Sequence, residues 1–214
     1  MKESKLTAVM SFVHVTVVLS LLTFGTIFFS LGVLTLPALT AAFTIGREMI
    51  FRRFSVYGSL TKQFAACLKD GMKTMRYFPL QLAALLQFVG IAAAGRTGMD
   101  MLVYPMVAFS ALLLTLMIYT VGYHVFCAPL PDVIHAAVAM FFKLRYMLAV
   151  WVLMILAIAL AGVKLMPVML IAGAVPLLAV EIVVFISLTS YKKVRGELSE
   201  DDRSSLSPEL IEKL

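Results

Sequence analysis

The sequence predicts an all-α polytopic membrane protein, with a six-helix transmembrane bundle and one amphipathic cytoplasmic helix. Of its 214 residues 62% are hydrophobic and 14% are charged, whereas soluble domains average about 45–50% apolar and about 25% charged residues. Between Leu6 and Gly46 there is no Asp, Glu, Lys or Arg. As a helix, this stretch would measure about 60 Å and could cross a hydrocarbon core of about 30 Å twice. We therefore expect lipid to solvate most of the surface.

Six apolar runs, separated by glycine, proline and charged residues, are the predicted spans. They cover residues 6–31, 36–53, 75–95, 101–126, 146–163 and 168–190. A turn is expected at Gly32–Pro37, because glycine ends one helix and proline fits the first turn of the next. The second span is short and ends among arginines. Either it ends at the interface with its charged groups snorkelling to water, or it is partly re-entrant.

The connections and the two ends complete the predicted organisation. Short turns are expected at 95–98 and 164–167, and a loop over 128–145. The first apolar run is longer than a signal-peptide core and lacks an A-x-A cleavage site, so we expect it to remain as the first span. Residues 1–195 then form the six-span transmembrane domain. Residues 196–214 are acidic and serine-rich, which predicts a mobile cytoplasmic tail.

Basic residues indicate how these spans are oriented. Sixteen of the eighteen Lys and Arg residues lie in the N-terminus, segments 47–76 and 128–146, and the tail; Arg96 and Lys164 lie in the opposite loops. The positive-inside rule therefore predicts that both termini are cytoplasmic. This distribution also accounts for the net charge of +6, so we do not expect nucleic-acid binding.

Segment 54–73 has the pattern of an amphipathic helix. Its apolar residues recur at helical spacing and its lysines lie on other faces; they are Leu60, Phe64, Cys67 and Leu68, and Lys62, Lys69 and Lys73. Two alternatives remain open for this cytoplasmic helix. Phe64 and Leu68 bury against a partner, or the helix lies on the lipid surface with the lysines contributing about 1 kcal/mol each.

Small residues recur every four positions in the second span, at Ala38, Ala42 and Gly46. In lipid, such a ridge lets two helices approach closely, because helix association there depends on van der Waals contact. Packing against a neighbouring span is the favoured interpretation, and contact with a partner's transmembrane helix is the alternative.

Polar side chains inside the spans are the candidate functional groups. Glu181 is predicted about 15 Å from the cytoplasmic edge, and His14 at a similar depth. An intramembrane carboxyl predicts a functional site, and we expect Glu181 to face span 1 near His14 and Thr16. A structural contact and a proton or substrate relay both remain open. Gln81 and Gln87 are expected to form interhelical hydrogen bonds worth about 0.6 kcal/mol each.

The sequence shows no set of residues typical of catalysis or metal binding. It contains no P-loop, G-x-S-x-G, H-E-x-x-H or D-x-D pattern. Cys67 and Cys127 are 60 residues apart and belong to no C-x-x-C pair, so neither a zinc site nor a disulfide framework is predicted. The fourteen methionines are scattered and are typical of core filling. We therefore expect no enzymatic activity, no cofactor and no metal.

One stretch resembles a known family. Gly32, Pro37-Ala38-Leu39-Thr40-Ala41-Ala42 and Arg47 resemble the YesL family of bacterial membrane proteins. In that family a Pro-Ala-x-Thr-Ala start of the second helix leads to an arginine and then an aromatic- and lysine-rich segment. Phe64 and Leu68-Lys69 resemble that segment, although Leu68 and Gly71 replace a usual aromatic and a usual asparagine. Length and span pattern agree over residues 1–195.

The resemblance implies a location and a set of partners. It implies a plasma membrane of the Gram-positive type and an association with ABC importers of oligosaccharides. The chain would then be an accessory or permease-like component without its own ATPase, with a permease and an ATP-binding subunit as candidate partners. The residues themselves leave two alternatives open, a stand-alone small transporter or channel using Glu181, and a membrane sensor.

Overall fold

The protein is all-α, as predicted, and the part of the chain that the structure describes contains no strand. The structure is a computed structural model that describes residues 5–51, 59–126, 133–142, 144–161 and 166–196. Within these ranges the α-helices are α1 Lys5–Phe29, α2 Thr35–Phe51, α3 Leu60–Gly71, α4 Phe78–Arg96, α5 Asp100–Phe126, α6 Val133–Phe142, α7 Leu144–Ala161 and α8 Met166–Arg195. A 3₁₀ helix, Met72–Tyr77, joins α3 to α4.

Two of the described helices are long and apolar enough to cross a membrane. They are the continuous helix Leu60–Arg96 and the helix Met101–Phe126. A third crossing results if Val133–Phe141 and Leu144–Leu156, whose axes meet at 95°, form one broken span. These helices are compatible with a membrane protein, in agreement with the composition.

The amphipathic helix and the span after it are continuous, whereas the sequence suggested two separate elements. The 3₁₀ helix Met72–Tyr77 connects α3 to α4, so that Leu60–Arg96 runs as one helix. Gly71 adopts a right-handed helical conformation, with φ −61° and ψ −17°. Pro79 falls in the first turn of α4, where the missing N–H of proline has no helical partner to lose.

The predicted loop 128–145 contains a helix instead. α6 occupies Val133–Phe142, and its residues Ala136, Ala139 and Met140 are buried in the core. Prolines and scattered polar residues suggested a loop, but the prolines precede Val133 and do not interrupt the helix. An apolar run of this length forms a helix because it can bury one face against α5.

The other helices follow the predicted spans closely, and several predicted features lie outside the described residues. α5 begins one residue before the predicted span 101–126 and ends with it. The expected turn at Gly32–Pro37 occurs earlier, since α2 already begins at Thr35. Outside the described residues lie Arg52, Arg53, residues 127–132, Lys143, Lys164 and the predicted tail beyond Gly196.

Two clusters of buried side chains form the core. The larger one joins α5, α7 and α8 around Tyr119, Val150 and Phe185, and the smaller one joins α1, α2 and α3 around Val15, Ala42 and Phe64. Side-chain hydrogen bonds cross the larger cluster: the Tyr119 hydroxyl donates to Ser187 Oγ over 3.0 Å, and Trp151 Nε1 donates to Thr115 Oγ1 over 2.7 Å. Polar contacts of this kind hold helices together where lipid offers no hydrophobic driving force.

Candidate functional site

Glu181 lies where α8 meets α2, and its side chain is only 1% exposed. Gly46 provides the room for it: a Cβ atom on Gly46 would collide with both oxygens of the Glu181 carboxyl group. The backbone N–H of Arg47 donates a hydrogen bond to the carboxyl. Glu181 Oε1 has no hydrogen-bond partner among the described residues. The carboxyl is therefore enclosed, with one oxygen held by a backbone donor and the other unpartnered.

This environment decides what the carboxyl can do chemically. A buried ionised carboxyl is costly unless it is paired and hydrogen-bonded. A proton on Oε1 would remove the charge of the carboxyl group. It would also turn this oxygen, an acceptor without a partner among the described residues, into a hydrogen-bond donor. Glu181 can thus serve either as a neutral contact between two helices or as a group that binds and releases a proton.

Arg47 connects this contact to the end of α5. Its Nη1 donates to the carbonyl of Val125 over 2.6 Å, and its Cζ lies 5.3 Å from the centre of the Phe126 ring. The Nζ atom of Lys192 lies 4.9 Å from the centre of the same ring. Cations at a helix C-terminus compensate the negative end of the helix dipole. Arg47 of α2 and Lys192 of α8 therefore both contact the C-terminal end of α5, and we call these two residues and Phe126 the cationic cluster.

Three aromatic rings and a second close approach at a glycine lie where α2, α5 and α8 meet. The Phe185 ring lies between Phe43, at 6.0 Å between ring centres, and Phe126, at 5.8 Å. A Cβ atom on Gly122 would collide with Val184. Two glycines, Gly46 and Gly122, thus allow α8 to approach α2 and α5 closely.

The structure places the two predicted neighbours of Glu181, His14 and Thr16, in different environments. His14 is exposed on α1, and Thr16 is buried. Glu181 itself contacts Gly46 and Arg47 of α2. The spacing of small residues in α2 predicts a packing role for Gly46, and no pattern in the sequence connects it to Glu181, because the two lie on helices far apart in the chain.

Gln81 has an unexpected partner. Its side chain is 2% exposed, and Nε2 donates to the carbonyl groups of Gly32 and Val33 in the turn between α1 and α2. The sequence suggested a bond between helices, whereas the structure places the amide on the backbone of a turn. Gln87 lies further along α4, and its Oε1 has no hydrogen-bond partner in the part of the chain described.

The small residues of α2 face inward. Ala38 and Ala42 are buried, and Ala42 packs in the smaller core cluster with Leu19 of α1 and Leu60 of α3. A Cβ atom on Gly71 would lie 2.9 Å from the carbonyl oxygen of Pro37. Ala42 therefore packs against α1 and α3, whereas Gly46, the third residue of the ridge, lies against Glu181 of α8.

Helix α3 turns its apolar side to the protein and its basic side outward. Phe64 is 4% exposed and packs with Val15 and Ile45 in the smaller core cluster, and Leu68 packs partly buried against the same cluster. The three lysines, Lys62, Lys69 and Lys73, are exposed. Lys73 forms a surface ion pair with Asp70, a type of contact worth about 0–1 kcal/mol. Phe64 is thus a core residue, and the exposed surface of α3 is basic.

The described residues contain no group of three or more His, Cys, Asp or Glu side chains that could hold a metal ion. In comparisons with known proteins, no family model, curated protein or solved structure matches the chain. The geometry around Glu181 and α3 is therefore the main basis for a functional hypothesis.

Proposed function

We propose that the chain is a multi-pass protein of the plasma membrane, with six apolar helices arranged as three hairpins and both termini in the cytoplasm. Two described helices of sufficient length and apolarity support a membrane location. The placement of sixteen of the eighteen basic residues on one side supports the orientation. Labelling of single cysteines in intact cells, in a chain lacking Cys67 and Cys127, tests it. Thr97→Cys should react with an impermeant maleimide and Ser199→Cys should not; the reverse pattern would overturn the orientation.

Within this membrane framework, the proposed role is that of an accessory or permease-like component of an oligosaccharide ABC import system. The supporting observation is the packing of α3. Phe64 anchors α3 in the protein's own core, so the outer face of α3 is already ordered. Binding of a partner to this face would therefore not cost the free energy of ordering the helix. That face carries Lys62, Ala65, Ala66 and Lys69, all exposed. The resemblance to the YesL family supports the oligosaccharide class of substrate.

Co-purification of an ATP-binding subunit, identified by its P-loop sequence, tests this role. Reversing the charge of the α3 face with Lys62→Glu and Lys69→Glu should release that subunit while the protein stays folded. Lys193→Glu is the matched control, because Lys193 is also exposed but lies at the end of α8. Equal recovery of the subunit with wild-type protein and with the α3 double variant would refute docking through α3.

A second candidate function, a stand-alone small transporter or channel, is favoured by the unpartnered Oε1 of buried Glu181. Proton flux in proteoliposomes loaded with a pH-sensitive dye tests it. Glu181→Gln preserves the shape of the side chain but cannot titrate. If Glu181 relays protons, this variant should lose the flux without a change in its thermal midpoint in detergent. If Glu181 is only a structural contact, Glu181→Gln should change neither property, whereas Glu181→Leu should destabilise the protein.

A further inference from the structure

The turn between α1 and α2 satisfies its own backbone N–H groups. The N–H groups of Ser30, Leu31, Gly32, Val33 and Thr35 donate to carbonyl groups within residues 26–32, over 2.8–3.2 Å. The N–H of Leu34 donates to Ser30 Oγ over 3.1 Å. A loop in water can leave such groups to solvent, but in hydrocarbon each unpaired group costs several kcal/mol. The turn is built so that it needs no water for its donors.

Two carbonyl groups of the same turn receive a buried side chain from another helix. Gln81, almost fully buried near the start of α4, donates from Nε2 to the carbonyls of Gly32 and Val33. The Thr35 hydroxyl also donates to Gly32 over 2.6 Å. In an aqueous loop, water would serve these acceptors. A buried amide that serves them instead indicates a site where water is scarce.

The outer surface of this turn is apolar. Phe28, Phe29 and Leu31 are 77%, 87% and 89% exposed, and no charged residue lies within the surrounding stretch from Leu6 to Gly46. Leaving such side chains in water would forgo about 1.5–3 kcal/mol each. By contrast, the turn between α4 and α5 begins with Arg96 and Thr97, a charged and a polar residue typical of an aqueous boundary.

The two turns lie at different depths. Because Gln81 of α4 contacts the α1–α2 turn, the turn lies beside Gln81 along the axis of α4. From Gln81, α4 continues to Arg96. At 1.5 Å per residue this remaining stretch is about 22 Å long. We place the α4–α5 turn at the far surface of a hydrocarbon core about 30 Å thick. The α1–α2 turn, about 22 Å from that surface, then lies inside the core, about 7 Å from its midplane on the near side.

We infer that α1 and α2 form a re-entrant hairpin whose turn, residues 28–34, is inserted among lipid acyl chains. This inference rests on the proposed membrane location and refines the arrangement of the first two predicted spans. A hairpin that enters and leaves on the same side keeps both termini on that side, so the proposed orientation is unaffected. The exposed side chains of Phe28, Phe29 and Leu31 then contact the lipid acyl chains.

Tryptophan depth measurements test the inference. The chain has a single tryptophan, and Trp151→Phe provides a silent background. Into it we would place Leu31→Trp, in the α1–α2 turn, or Met99→Trp, at the exposed end of the α4–α5 turn. Each variant is reconstituted in phosphatidylcholine vesicles brominated either deep in the acyl chains or near the headgroup. Phe29→Trp is the substitute position if Leu31→Trp does not fold.

The expected result is a difference between the two turns. Leu31→Trp should be quenched most strongly by the deep bromines and lie about 7 Å from the midplane, whereas Met99→Trp should be quenched by the shallow bromines, about 15 Å from it. Shallow quenching of both variants would overturn the re-entrant hairpin and leave the membrane location intact. Accessibility of both variants to aqueous iodide, with no quenching by either lipid, would overturn the membrane location as well.

Discussion

Gly46→Ala tests the placement of Glu181 directly. The added methyl group would collide with the Glu181 carboxyl, which is buried and packed against α2. Inserting a methyl group into a filled site costs about 1–3 kcal/mol, while replacing glycine by alanine inside a helix gains about 1 kcal/mol. We therefore expect a net loss of stability of about 0–2 kcal/mol.

Gly25→Ala is the matched control within α1. A Cβ atom on Gly25 would meet no atom within 4 Å, so only the helix-propensity gain of about 1 kcal/mol applies. The difference between the two substitutions isolates the steric contribution, about 1–3 kcal/mol. Truncating the acid with Glu181→Ala should remove that contribution, so Gly46→Ala should become harmless in the Glu181→Ala background.

The free energy of unfolding, measured by denaturant titration in detergent and followed by circular dichroism, gives these values. All four single and double combinations at positions 46 and 181 are needed for the thermodynamic cycle. Equal stabilisation by Gly46→Ala and Gly25→Ala would show that the carboxyl does not lie against Gly46. A proton-binding site between α2 and α8 would then have no structural basis.

Two further substitutions test the contacts of α3 and α4. Phe64→Ala should lower the free energy of unfolding by about 3–5 kcal/mol, because Phe64 fills the cluster between α1, α2 and α3; unchanged stability would contradict a core position. Gln81→Leu should lower the thermal midpoint, because it leaves the Gly32 and Val33 carbonyls without their donor, at a cost of about 1–3 kcal/mol. The half-buried Gln87 is the control on the same helix, and Gln87→Leu should have a smaller effect than Gln81→Leu.

The sequence alone determined the class of the protein and the position of most helices. Apolar runs of about 20 residues form helices wherever lipid is the solvent, because each backbone group must be satisfied within the segment. The positions of α1, α2, α4, α5, α7 and α8 could therefore be predicted from local composition. α6 was missed because nearby prolines suggested a loop, and burial against α5 outweighed that signal.

Only the tertiary structure decided which polar groups meet. Glu181 lies against Gly46, and Gln81 binds the carbonyls of Gly32 and Val33, pairings that no local pattern contains. The amphipathic pattern of α3 shows that Phe64 lies on an apolar face but leaves open what covers it, and the structure places α1 and α2 there. Periodicity records which side of a helix avoids water, whereas the partner depends on how the helices pack.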